Sequence, residues 1–159
     1  MNNIYQILEN LGIEFRKYDH PAVFTVNEAA GYDVDQKAAK TKNIFLRNKK
    51  GDRFYLVIVE ANKRLDLKKL AESLVEGKFS FATADKLEEY LGLTPGSVSP
   101  FGLINDGDKR VRVLVDKDLL ERETVGFHPN INTATLVIKT KDFAKFLEWT
   151  GNKIDYYDF

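Results

Sequence analysis

Apolar residues fall at helical spacing at Ile4, Leu8 and Leu11, with Asn2 or Asn3 as cap and Gly12 beyond, which predicts a first helix over residues 3 to 11. The period then drops to two. Phe15, Lys17 and Asp19 alternate with Glu14, Arg16 and Tyr18 in a short strand that ends at His20-Pro21. Thr25-Val26-Asn27-Glu28 has the spacing of a capping box and predicts a short helix closed by Gly31. Residues 42 to 48 and 53 to 60 are apolar, β-branched or aromatic runs around Asn48-Lys49-Lys50-Gly51-Asp52, which predicts an antiparallel hairpin with a basic tip. Asp66 then caps a helix carrying Leu67, Leu70 and Leu74, Phe79-Ser80-Phe81 alternates as a strand, and Leu87, Tyr90 and Leu91 mark a helix ending at Gly92.

A loop with two prolines and two glycines follows, Leu93-Thr94-Pro95-Gly96-Ser97-Val98-Ser99-Pro100-Phe101-Gly102-Leu103. Pro95 and Pro100 fix φ and restrict the residues before them, while Gly96 admits backbone shapes and close approaches closed to other residues, so the loop is suited to presenting N–H groups to an anion. Phe101 to Asn105 and Val111 to Asp116 predict a second hairpin about Asp106-Gly107-Asp108, Thr133 to Lys139 a further strand, and Phe143, Phe146, Leu147 and Thr150 a last amphipathic helix with Gly151 beyond it. Strands outnumber helices but helices intervene. The fold class is therefore mixed α/β with a largely antiparallel sheet, and the 159 residues fit one domain spanning 1–159.

Composition narrows the chemistry. With no cysteine there is no thiolate nucleophile, disulfide framework or thiolate metal site, and His20 and His128 are the two histidines, too few at this spacing for a metal centre. Met1 to Gln6 lacks the basic and apolar pattern of an export signal and no apolar stretch approaches a membrane span, so the expected location is cytoplasmic, with no membrane partner. Lys plus Arg equals Asp plus Glu at 24 each, which excludes a global field that would coat a nucleic acid such as DNA. Residues 37 to 69 nevertheless hold eleven basic side chains against Asp52, Glu60 and Asp66, either solvated faces of a hairpin and a helix or a phosphate-facing edge.

The sequence contains no GxGxxG, GxxxxGK[ST], HExxH or GxSxG motif, and Ser97 and Ser99 read as turn-forming residues rather than nucleophiles. Lys42 stands where a strand begins and Asn43 beside it belongs to the opposite strand face, so the two serve one site only if the strand starts with a bulge or irregular turn. Phe101 and Phe127 adjoin candidate loops and either anchor them to the core or stack on a nucleobase.

Thr41-Lys42-Asn43 ahead of Ile44-Phe45-Leu46, the Gly96-to-Pro100 GxxxP loop, and Gly126-Phe127-His128-Pro129-Asn130-Ile131-Asn132-Thr133-Ala134-Thr135 ahead of Leu136-Val137-Ile138, with His20-Pro21-Ala22-Val23-Phe24-Thr25-Val26 upstream, resemble the YbaK/ProX family of aminoacyl-tRNA deacylases, specifically its free-standing prolyl-tRNA editing proteins. The resemblance covers nearly the whole chain. It implies a curved, partly closed, largely antiparallel sheet flanked by helices, and a hydrolase that clears alanine mischarged on proline tRNA, with cysteine or another small amino acid as the alternative. It carries a catalytic role to Lys42, Asn43 and His128, and substrate binding to Gly96, Ser97, Val98, Ser99, Pro100, Phe101, Gly102, Pro129, Asn130 and Thr133. Val23, Phe24, Ile44 and Thr133 are expected as pocket walls, and His20 as a turn or packing residue near the mouth. The N–H groups of residues 96 to 99 would hold the acyl carbonyl or terminal ribose, Lys42 would supply charge, and Asn43 and His128 would orient water or substrate hydroxyl. No cofactor and no metal is implied. The expected partners are the acceptor end of the tRNA and prolyl-tRNA synthetase, the alternative being a non-catalytic module that binds either one.

Overall fold

The structure, a computed structural model, describes residues 3–22 and 37–159. The helix expected from Thr25 to Gly31 and the pocket walls Val23 and Phe24 lie outside these residues. The described elements run α1 (Ile4–Asn10), β1 (Phe15–Asp19), β2 (Thr41–Asn48), β3 (Phe54–Glu60), α2 (Leu67–Ser73), β4 (Phe79–Phe81), α3 (Ala84–Leu91), β5 (Val111–Asp116), β6 (Thr124–Phe127), β7 (Ala134–Lys139), α4 (Thr140–Thr150) and β8 (Ile154–Tyr157), with 3-10 segments at Pro100–Asn105 and Lys117–Glu121. Local chemistry accounts for most of the helix starts. Asn3, Asp66 and Thr83 each accept a main-chain N–H of the first turn they cap, as their short polar side chains are suited to do.

The strands form two sheets, a three-stranded one in the order β1-β7-β6 and a five-stranded one in the order β4-β2-β3-β5-β8. The mixed α/β class holds and antiparallel pairing dominates, but β3–β5 and β5–β8 are parallel. Every residue of β3 is buried, as a continuously apolar strand in the middle of a sheet covered on both faces must be. One face, with Phe54, Leu56 and Ile58, packs into the main core together with Phe101, Phe127, Leu136 and Phe146; the other, with Tyr55 and Val57, packs with Leu46 and Leu114 under Leu70 and Ala71 of α2.

The hairpin expected between residues 101–105 and 111–116 does not form. Pro100 sits in the first turn of a 3-10 segment, the Ser99 hydroxyl accepts the Phe101 N–H, and Phe101 to Ile104 are buried as a turn rather than as a strand. Strand β5 pairs instead with β3 and β8. A parallel bridge between Ala39 and Val125 ties the lead into β2 to β6, which connects the two sheets beside the loop that follows β6.

Candidate functional site

Strand β6 ends at Phe127 and delivers His128, which is half-buried. Its Nδ1 lies 2.9 Å from the Ala134 carbonyl. A carbonyl only accepts, so Nδ1 carries the proton and a neutral ring keeps an acceptor lone pair on Nε2. Burial holds the imidazole below its ordinary pKa, opposed by the Ala134 hydrogen bond and aided by His20. The His20 ring stands edge-on to it at 5.9 Å, and Nε2 of His20 is hydrogen-bonded to the Thr135 hydroxyl at 2.9 Å. His20 thus packs directly against His128. With its Thr135 partner 115 positions further along the chain, no local signal could have placed it.

Asn130 has φ of +64°, a left-handed shape that asparagine tolerates better than most residues. Its Nδ2 donates to the Phe101 carbonyl at 3.4 Å, so the 128–133 turn rests on the GxxxP loop. Pro129 is buried and Thr133 exposed, with the Thr133 carbonyl accepting the His20 N–H at 2.9 Å.

Within the GxxxP loop most groups are committed internally. The Ser97 N–H closes a turn on the Thr94 carbonyl and is not available to a ligand, and Ser97 and Ser99 are buried. A Cβ on Gly102 would stand 2.6 Å from Leu93 and 3.1 Å from Leu91, so the loop needs glycine there to pack against the end of α3. The Phe101 ring is fully buried, edge-on to Phe127 at 5.8 Å and to Phe146 at 5.2 Å. Phe101 and Phe127 therefore anchor their loops and offer no face to a nucleobase, a correction to the binding role of the Phe101 side chain. Gly96, with φ of +91°, and Val98 are the loop residues that remain partly exposed.

Strand β2 is regularly paired through its start, Lys42 opposite Val59 and Asn43 opposite Ile58, with no bulge. The two side chains consequently take opposite faces. Asn43 shares its face with Phe45 and the main core, the side on which Phe101 and Phe127 lie, and its Nδ2 donates to the Thr41 hydroxyl at 3.2 Å. Lys42 shares its face with Leu46, and its ammonium donates to the main-chain carbonyl of Lys63. Among the described residues, the Oδ1 atoms of Asn43 and Asn130 are buried without a hydrogen-bond partner. Buried amide oxygens are ordinarily satisfied, so each of these two acceptors, like Asn152 Oδ1, lacks a donor within the described residues.

The acceptor of Lys42 is itself held. Lys63 Nζ bonds Asp116 Oδ1 at 2.9 Å, Asp118 Oδ2 at 2.5 Å and the Phe159 carbonyl at 3.2 Å, which uses all three ammonium donors. Asp116 is fully buried and also accepts the N–H groups of Glu60 and Asp118. Burial acts to lower the Lys63 pKa, but its hydrogen bonds to Asp118 and Asp116 outweigh that and raise it. Along the chain Lys63 stands out no more than ten other basic residues of its stretch, because the carboxylates that fix it lie more than fifty residues on.

The model of the aminoacyl-tRNA editing domain matches residues 20–146, a span holding all of these positions except Phe159. A prolyl-tRNA editing protein, ProX, from Acetoanaerobium sticklandii is 40% identical over 145 residues, covering 91% of this chain and 88% of that protein. Prolyl-tRNA synthetase associated domain-containing protein 1 from Bos taurus is 36% identical over 152 residues, covering 92% and 88%. A multifunctional Ser/Thr-tRNA deacylase, ProXp-y, from Escherichia coli K12 is 24% identical, covering 89% and 84%. A crystal structure of a candidate trans-editing enzyme for prolyl tRNA synthetase superposes with a TM-score of 0.66 over 98% of this chain and 94% of that one at 24% identity, a likeness of fold. With the family model covering most of the chain and the identity to ProX at this level, the chain belongs to the aminoacyl-tRNA editing domain family.

Proposed function

We propose that this protein is a free-standing aminoacyl-tRNA deacylase that hydrolyses the ester of alanine mischarged on proline tRNA after the synthetase has released it. The observation that carries the reading is the seating of the His128–Asn130 turn on the GxxxP loop beside the start of β2, with unpaired buried acceptors on Asn43 and Asn130. The kinds of protein to which the chain is related, a prolyl-tRNA editing protein and a synthetase-associated domain, support the same substrate class and a link to prolyl-tRNA synthetase.

In the reaction, water adds to the acyl carbon, the bond to the terminal ribose oxygen breaks, and that oxygen takes up a proton to leave as hydroxyl. Neutral His128 presents an acceptor at Nε2 that orients the water or the adjacent ribose hydroxyl. The Lys42 ammonium, released from the Lys63 carbonyl, stabilises the developing oxyanion, and Asn43 holds the substrate with its amide. The 2′-hydroxyl of the substrate assists, and no covalent intermediate forms. Proline is refused by steric exclusion, which discriminates more strongly than the roughly 1–3 kcal/mol of a missing methylene.

The test is incubation of the purified protein with proline tRNA charged in turn with alanine, cysteine, serine and proline. Alanine is expected to be released fastest and proline not at all. Lys42→Ala should slow alanine release by about a hundredfold, the loss typical of one oxyanion-stabilising group. Faster release of cysteine or serine would move the specificity, and release of nothing would leave a binding module.

A further inference from the structure

Lys42 and Asn43 face opposite sides of β2, yet both flank its edge. The even-numbered residues of β2 direct their main-chain groups toward β3, as the bonds from Ala61 N–H to the Lys40 carbonyl and from Asn48 N–H to the Arg53 carbonyl fix at the two ends of the ladder. The odd-numbered residues point the other way. Ala39 there pairs with β6, bonding the Thr124 carbonyl and the Gly126 N–H, and the Phe45 carbonyl accepts the Ala82 N–H just beyond β4. Among the described residues no strand pairs with Thr41 and Asn43 on that side. The edge is therefore a notch two paired positions long, closed at one end by β6 and at the other by the chain leaving β4. Because the Ala39–Val125 bridge is parallel, β6 leaves it in the same direction as β2 and reaches His128 three residues later.

The notch offers an N–H and a C=O from Thr41 and from Asn43, the same alternation that a strand edge presents to an added strand. An aminoacyl ester carries a carbonyl and an α-ammonium on neighbouring atoms, as a single residue of such a strand does. We propose that the aminoacyl group docks on this open edge of β2 as a one-residue strand, its acyl carbonyl accepting the Asn43 N–H and its ammonium donating to a main-chain carbonyl of the notch. The proposal rests on the deacylase reading and says where the acyl group lies. It resolves the placement of the two neighbouring side chains, since a substrate at the edge is approached by Lys42 from one face and Asn43 from the other, with no bulge needed. It also makes binding of the acyl group independent of its side chain, and it assigns the carbonyl a donor in β2, where the Ser97 N–H of the GxxxP loop is already used.

Residue-resolved amide hydrogen exchange tests it with alanine joined through a stable amide to the 3′ position of adenosine as the probe. In the free protein the Thr41 and Asn43 amides should exchange at least ten times faster than those of Lys42 and Ile44, which point to β3. Saturating probe should slow Asn43 by tenfold or more and leave Lys42 and Ile44 unchanged. A probe that shifts the His128 resonances while Asn43 exchange stays as it was would overturn the docking and spare the deacylase. A second comparison uses turnover: Asn43→Pro removes the N–H at an edge position where proline is tolerated, and should deacylate at least tenfold more slowly than Asn43→Ala while both stay folded. Equal rates for the two variants would overturn the docking, whereas a wild-type protein that neither binds the probe nor releases alanine would overturn the deacylase reading and the docking with it.

Discussion

Two buried aspartates stand at the two ends of β5 and hold the site in different ways. Asp106 precedes the strand and accepts the N–H groups of Arg110 and Val111 and the Asn152 amide, all neutral donors. Asp116 ends the strand and accepts two N–H groups and the Lys63 ammonium. The first closes the 3-10 segment that carries the GxxxP loop, the second fixes the turn whose carbonyl holds Lys42. The half of the site that only has to keep its shape is tied by a carboxylate held by neutral donors, and the half that handles a cation is tied by an ion pair. Removing one partner from a buried pair strands a charge, while removing one acceptor from a neutral set strands dipoles, so the two ends should respond with different magnitudes.

The largest effect is expected for Asp116→Asn, which leaves the Lys63 ammonium with the half-exposed Asp118 carboxylate as its anionic partner and turns a buried amide nitrogen toward donors from Lys63, Glu60 or Asp118. Urea unfolding should show a loss of about 3–5 kcal/mol, the range for breaking a buried pair. Asp106→Asn turns an amide nitrogen toward donors and should cost about 2–3 kcal/mol in the same measurement. If the two losses are equal, the contrast between ionic and neutral anchoring fails. Gly102→Ala sharpens it further, because the Cβ strikes Leu93 and Leu91 within the neutral half; a loss of about 1–2 kcal/mol is expected, with alanine release slowed while Lys42 is untouched.

The smallest effect is the one set by pH. His128 is depressed chiefly by burial, so the unfolded chain binds a proton that the folded chain refuses. Its contribution to stability is therefore fully present above the ordinary histidine range and is lost as pH falls through it toward the lower folded value. Deacylation should follow the same direction, constant near neutrality and falling only below about pH 6.5, the ordinary histidine value, since the neutral ring is the acceptor form. His128→Gln should remove that acid limb from the rate profile.

Elements with a local signature were legible from the residues alone. The caps at Asn3 and Asp66, the period of α4 and the Lys49–Gly51 turn between β2 and β3 each depend on neighbours within a few positions. The 3-10 segment at Pro100–Asn105 was not, because an apolar run buried all round carries no period to tell a strand from a turn. Strand β8 was missed for a related reason: Ile154-Asp155-Tyr156-Tyr157 is short, and its place is set by a parallel partner about forty residues away. At the site, Lys42, Asn43 and His128 were singled out as residue types by the sequence, but His20 against His128, the Asp116–Lys63 pair and the inward anchoring of Phe101 are contacts across the fold that spacing along the chain cannot encode.

The parallel pairing of β8 with β5 also bears on how the chain is made. Until residues 154–157 have left the ribosome, Val113 to Asp116 expose an unfilled ladder along an otherwise apolar strand, a surface to which a second nascent copy could add itself. Synthesis thus passes through an interval of aggregation risk that ends only once residues 154–157 are free to pair with β5, and chaperone dependence should concentrate in that interval.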